Sequence, residues 1–171
     1  GIQPDIIVCR SEHPLSEEIK AKIALFCDID KEAVIPNIDA DTIYEVPLIF
    51  EQENLARIVC RRLGLDEGKP DLQDWKEIVE KIKNPKRLVE IGLVGKYVSM
   101  PDAYMSVIEA LCHAGIETES EVKVKWIQSE ELEKEDADLD AILGGCDGIL
   151  VPGGFGHRGV EGMIRGIQYA R

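Results

Sequence analysis

The spacing of apolar and polar positions changes repeatedly along this chain, and each change predicts an element. Residues 6–9 form a short apolar run read as a buried strand, and Ser16 stands where it would cap a helix through Ala24. Residues 34–37 and 42–46 read as extended segments. Residues 53–63 carry Leu55, Ile58, Val59 and Leu63 on one helical stripe. Gly68, Lys69 and Pro70 then break the chain, and a helix with Trp75, Ile78, Val79 and Ile82 on one side follows, anchored by burial of Trp75. Residues 84–87 are a turn. Beyond it come a strand at 88–94, a helix at 102–114 stopped by Gly115, and an alternating strand at 121–127. The acidic stretch 129–140 reads as a solvated face with a short helix. A third strand at 148–151 and a helix at 160–170 close the sequence.

Strand–helix alternation of this spacing predicts an α/β fold with a parallel sheet and helices on both faces. Ligands in such sheets lie beyond the carboxyl ends of the strands. Two segments occupy those positions: Gly95-Lys96-Tyr97, and the loop Pro152-Gly153-Gly154-Phe155-Gly156. The loop nearly lacks side chains, so its exposed groups are backbone N–H donors suited to an anion or a developing oxyanion. The following helix would point its positive end at the same place. Gly154-Phe155-Gly156-His157-Arg158-Gly159 is also a literal G-x-G-x-x-G, so a dinucleotide loop is a second reading. Against it, that fingerprint usually follows the first strand of its unit, and its acidic ribose partner would fall past Arg171.

Composition narrows the partners. The chain has 171 residues, 44% of them hydrophobic and 31% charged, with a net charge of −13. That balance fits a globular protein and disfavours nucleic acid and anionic membrane surfaces. No apolar run approaches the roughly 18 residues of a membrane span. The chain starts at Gly1 with neither Met nor a leader, so it is expected to be a piece of a longer polypeptide. Its five cysteines are widely spaced and lack any C-x-x-C, which argues against a disulfide framework or a zinc site and for a reducing cytoplasm. Gly144-Gly145-Cys146-Asp147-Gly148 matches the G-x-C-x-G shape of a nucleophile elbow. An elbow needs strand, turn, helix in that order; here a helix precedes and a strand follows, so Cys146 is read as a loop residue.

Four separated stretches carry a resemblance over nearly the whole chain. Gly1-Ile2-Gln3-Pro4-Asp5-Ile6-Ile7-Val8-Cys9-Arg10-Ser11, Ala21-Lys22-Ile23-Ala24-Leu25-Phe26-Cys27, Gly95-Lys96-Tyr97 with Pro101-Asp102-Ala103-Tyr104, and Val151 to Gly156 with Arg158-Gly159-Val160-Glu161-Gly162 are similar to the CTP synthase family in order and spacing. The resemblance implies a central slice. Residues 1–65 would be the end of a Rossmann-like amidoligase domain, 66–87 an interdomain linker with a helix, and 88–171 the first half of a flavodoxin-like class I glutaminase domain. The parent would be a cytoplasmic homotetramer that uses ATP and Mg²⁺ to aminate UTP to CTP. It would take ammonia from glutamine and be activated allosterically by GTP.

The same resemblance implies roles for individual residues. Lys22 would contact UTP or inhibitory CTP. Arg10 would lie beside the ATP adenine, with Ile38, Asp39 and Ala40 reading its edge. Gly154 would supply the oxyanion-hole N–H, Gly153 the turn, and Phe155 a wall of the glutamine pocket. Arg158, Gly159 and Glu161 would belong to a lid segment linked to GTP. His157 has no partner that would make it a base, and Met105 stands where some relatives are expected to carry lysine. No metal ligand is assigned, and neither the phosphate loop nor the nucleophile elbow of the family lies in residues 1–171. The piece alone is therefore expected to be inactive, with a non-catalytic nucleotide- or dinucleotide-binding module as the alternative.

Overall fold

A computed structural model describes residues 1–171, which divide into two compact units, Gly1–Glu80 and Lys81–Arg171. Both are built on parallel strands, as the alternation predicts.

In the first unit, β1 (Ile7–Ser11) pairs in parallel with β2 (Val34–Ile38), from Ile7 opposite Val34 to Ser11 opposite Ile38. The crossover between them is α1 (Glu17–Cys27), opened by Ser16, whose Oγ accepts from the N–H of Ile19 at 3.2 Å. Asp28 closes α1 in the left-handed region at φ 51°. Ala33, Ile35 and Ile58 form the buried core, flanked by Ile29, Phe50 and Leu55. Residues 42–46 do not form the extended segment their β-branched content suggests. Thr42 Oγ1 accepts from the N–H of Tyr44, a 3-10 turn spans Ile43–Glu45, and α2 (Val46–Gln52) starts at once with Pro47 in its first turn. Helix α3 (Leu55–Leu63) ends on Gly64 at φ 64°. Helix α4 (Gln73–Lys83) lies where the linker helix is expected; Trp75 packs on Tyr44, ring centroids 6.2 Å apart, and donates its indole N–H to the Tyr44 carbonyl at 2.5 Å.

The second unit holds a three-stranded parallel sheet in the order β4-β3-β5, from β3 (Arg87–Gly95), β4 (Ser120–Gln128) and β5 (Gly148–Leu150). Helix α5 (Met105–Glu117) connects β3 to β4 and follows a 3-10 turn at Pro101–Tyr104. Gly115 does not stop this helix. It sits inside the last turn, buried, where a β-carbon would stand 2.6 Å from the Ser120 carbonyl oxygen. Glycine is required there by close approach to β4, not by a left-handed cap.

Helices α6 (Ser129–Leu132) and α7 (Leu139–Leu143) precede β5, and α8 (Val160–Tyr169) follows it. The acidic stretch is only partly solvated: Ser129 and Leu132 are fully buried, and Leu132 joins Val94, Ile127, Leu143 and Met163 in the core. Helix α8 packs close to α6, because Gly159 and Gly162 bring its backbone against Ser129. No helix is long and apolar enough to cross a membrane.

Candidate functional site

Two clefts, one in each unit, gather residues singled out by sequence. In the first unit, Arg10 lies in the last two residues of β1 and residues 38–40 leave β2 beside it, because the parallel register sets Arg10 opposite Asn37 and Ser11 opposite Ile38. Arg10 Nε stands 3.2 Å from Asp39 Oδ1, and the Asp39 N–H donates to the Ser11 carbonyl at 3.1 Å. Arg10, Ile38, Asp39 and Ala40 line one cleft of about 500 Å³ with Asn37 and Ile43. Asn37 is a residue that sequence reasoning passed over. Its Oδ1 is buried without a hydrogen-bond partner, an arrangement a folded chain rarely tolerates. Only its place at the end of β2, next to a candidate site, marks it in the sequence. Lys22 is not among this cleft's lining. It lies on the outer face of α1, 65% exposed at the side chain, and pairs with Glu18 one turn earlier at 2.7 Å.

In the second unit, the site lies beyond the carboxyl ends of β3 and β5, adjacent strands whose register places Leu93 opposite Leu150. Tyr97, Ala103 and Tyr104 on one side and Gly153, Gly154 and Phe155 on the other line a cleft of about 580 Å³. Residues 153–158 are exposed, Phe155 at 96%. The N–H groups of Gly153, Gly154, Phe155 and Gly156 do not donate to backbone carbonyls within the unit, so they are available to a ligand oxygen. Gly156 and Gly159 take φ of 79° and 74°, conformations that a β-carbon would strain.

Behind the loop stands Lys96, whose role the sequence did not reveal. It is 2% exposed, and its Nζ donates to the carbonyls of Phe155 at 2.8 Å and Gly156 at 3.2 Å. The Lys96 carbonyl in turn accepts from Arg158 Nη2 at 2.9 Å and from Gln128 Nε2 at 3.4 Å. Arg158 Nη1 pairs with Glu130 Oε1 at 3.0 Å, and its guanidinium lies 5.6 Å from the centroid of the Tyr97 ring. Burial pushes the Glu130 carboxyl up. Hydrogen bonds from its own N–H, Gln128 and Ser129, with the charge of Arg158, outweigh that and hold it below the usual carboxylate range. Glu161 is exposed in the first turn of α8. Met105 begins α5 and is half exposed.

Cys146 is at the other end of the sheet, before β5. Asp147, next to it, exchanges hydrogen bonds with the backbone of Glu90, and a β-carbon at Gly92 would touch the Cys146 sulfur. Burial, above all, raises its thiol pKa, assisted by Glu90 and Asp147 against Lys125. A nucleophilic thiol needs the opposite shift.

Comparison with known proteins fits this division. Residues 1–65 match the family described as CTP synthase N-terminus, and residues 99–171 match glutamine amidotransferase class-I. A CTP synthase of Carboxydothermus hydrogenoformans is 64% identical over 171 residues, covering 100% of this chain and 32% of the relative. One of Pelotomaculum thermopropionicum is 59% identical with the same coverage. The chain thus spans about a third of the length of the curated relatives it matches. A solved structure of the Trypanosoma brucei CTPS glutaminase domain with bound acivicin is 44% identical over 48% of this chain and 32% of that one, with a TM-score of 0.45. The dinucleotide reading of residues 154–159 is not favoured, since the loop follows β5 and lies within the amidotransferase match.

Proposed function

This chain belongs to the CTP synthase family, and from that premise we propose that it is the middle of an enzyme that makes CTP from UTP, ATP and glutamine. Residues 1–65 close the amidoligase domain, 66–87 link, and 88–171 begin the glutaminase. ATP phosphorylates O4 of UTP, releasing ADP. Ammonia then attacks C4 and phosphate leaves, giving CTP. The ammonia comes from glutamine, which water converts to glutamate. The observation that carries this reading is that one polypeptide joins a synthase segment to an amidotransferase segment, and that all 171 of its residues align with 32% of a CTP synthase relative.

Arg10 and the 38–40 backbone hold the adenine, the guanidinium plane stacking on the base. Lys22 offers a point charge to the phosphates of UTP or CTP. Its pairing with Glu18 is an exposed one-turn ion pair, a weak hold that a phosphate can displace. In the other unit, Gly154 donates its N–H to the tetrahedral oxyanion and Phe155 walls the glutamine cleft. Arg158, Gly159 and Glu161 form the segment through which GTP activates. Mg²⁺ accompanies ATP and is assigned no ligand among residues 1–171. The whole enzyme is a cytoplasmic homotetramer, and residues 1–171 alone are inactive.

The test is CTP formation by the protein expressed from its complete coding frame. With UTP, ATP, Mg²⁺ and glutamine, CTP accumulates together with glutamate. Saturable NAD binding lost in Gly156→Ala, with no turnover of UTP, would replace this reading with that of a binding module.

A further inference from the structure

Residues 153–156 form an exposed, glycine-rich loop with little to hold it. A β-carbon at Gly153 or Gly156 would meet no atom within 4 Å, so packing does not fix them. The hydrogen bonds that anchor this loop to the rest of its unit both come from Lys96 Nζ, to the carbonyls of Phe155 and Gly156. Glycine loses more conformational freedom on ordering than any other residue, so such a loop will not hold its N–H groups in place unaided.

We propose that Lys96 is a positioning residue for glutamine hydrolysis, holding the 153–156 loop so that its backbone N–H groups face the site of the developing oxyanion. The inference rests on reading residues 88–171 as the glutaminase half. Three features support it. In a trans peptide the C=O and N–H point in opposite directions. A lysine gripping the carbonyls of residues 155 and 156 from behind therefore turns the N–H groups of Gly156 and His157 away from itself. The lysine stem also lies directly under Gly154, where a β-carbon would stand 2.8 Å from Lys96 Cε, so the same side chain fixes the height of the Gly154 peptide.

Lys96 is itself held at both flanks. Before it, Gly95 admits the Tyr104 hydroxyl, which would lie 2.5 Å from any β-carbon there, and this hydroxyl accepts from the N–H of Tyr97 at 3.3 Å. Its carbonyl receives Arg158 and Gln128. A fully buried lysine is rarely kept without a task for its charge. Here that charge meets main-chain carbonyls of the candidate site.

The experiment replaces Lys96 with Met in the full-length protein, keeping the stem against Gly154 and deleting the donor. Glutamine-dependent kcat should fall about 10- to 100-fold, up to the lower end of the roughly 100- to 1000-fold loss that removing an oxyanion donor outright produces, with KM for glutamine changed less than about threefold. Ammonia-dependent CTP synthesis should stay within about twofold. Affinity for a glutamine-derived aldehyde, which binds as a tetrahedral adduct, should fall with kcat, while affinity for glutamate should not. Lys96→Gln, whose shorter amide reaches at most one carbonyl, carries the same test should Lys96→Met not fold. An unchanged glutamine-dependent kcat overturns the inference, and so does a parallel fall in ammonia-dependent activity. A wild-type protein that forms CTP from ammonia but releases no glutamate from glutamine overturns the glutaminase reading and the inference with it.

Discussion

Glu130 and Arg158 are 3.0 Å apart, and the second arm of the same guanidinium donates to the carbonyl of Lys96. One guanidinium thus ties the segment leading into α8 to α6 through the ion pair and to the residue after β3 through the hydrogen bond.

The Glu130 carboxyl is held below its ordinary range in the folded chain. The stability it contributes is therefore fully present above the ordinary carboxylate value, about 4.3, and is lost as pH falls through the lower folded value. Both side chains are partly exposed, so the pair is worth no more than about 1 kcal/mol. Protection of the amides at residues 159–163, measured as the exchange rate relative to the intrinsic rate at the same pH, should fall below about pH 4. Glu130→Gln should remove that acid sensitivity and make exchange faster at pH 7. Protection at 159–163 that is indifferent to both would contradict a holding role for the Glu130–Arg158 pair.

Two glycines of α8 make opposite predictions. A β-carbon on Gly162 would fall within the radius of the Ser129 carbonyl oxygen, which is backbone and cannot swing aside. Gly162→Ala should therefore cost about 3 kcal/mol in a urea melt, at the upper end of overpacking. At Gly166 the nearest atom would be Leu132 Cδ1 at 3.5 Å, an ordinary contact. Gly166→Ala should be neutral or stabilising by up to about 1 kcal/mol, from helix propensity alone.

Trp75 gives a graded pair of variants. Its ring packs on Tyr44 and its N–H is bonded to the Tyr44 carbonyl. Trp75→Phe should cost about 1 kcal/mol for the hydrogen bond, and Trp75→Ala about 3 kcal/mol, read as chemical denaturation of the first unit. Equal losses would mean that the ring itself contributes little.

Arg10→Ala separates binding from folding. The Arg10–Asp39 pair is 83% and 50% exposed at its side chains, so its loss should change stability by under about 1 kcal/mol. Loss of the stacking plane should raise KM for ATP in the full-length protein about 3- to 10-fold, with KM for glutamine unchanged. An unaltered ATP response would move the adenine elsewhere.

Local signals made most of the fold legible. The alternation of Val122, Val124 and Trp126 predicts β4, and Ser16 caps α1 where a serine should. Legibility failed where a residue's reason lies far away in sequence. Thr42, Ile43 and Val46 have strand-like side chains, but a threonine cap and Pro47 start helix there. Gly115 looks like a stop only until Ser120 is seen against it. The 10 and 38–40 cluster, implied by resemblance, emerges from the β1–β2 register as one cleft. Sequence places Lys96 beyond a strand end but hides its grip on the loop, for the same reason as Gly115: its partners are 59 and 60 residues away, and sequence alone places lysines in solvent.

The central claim is that one protein takes nitrogen from glutamine in its second half and delivers it to UTP in its first. The direct measurement supplies the full-length protein with UTP, ATP, Mg²⁺ and glutamine labelled with ¹⁵N in the amide, in the presence of unlabelled ammonium at low concentration. Mass analysis of the nucleotide product should find ¹⁵N on the exocyclic amine of CTP in most molecules. CTP carrying only unlabelled nitrogen, or no CTP at all, would contradict the account.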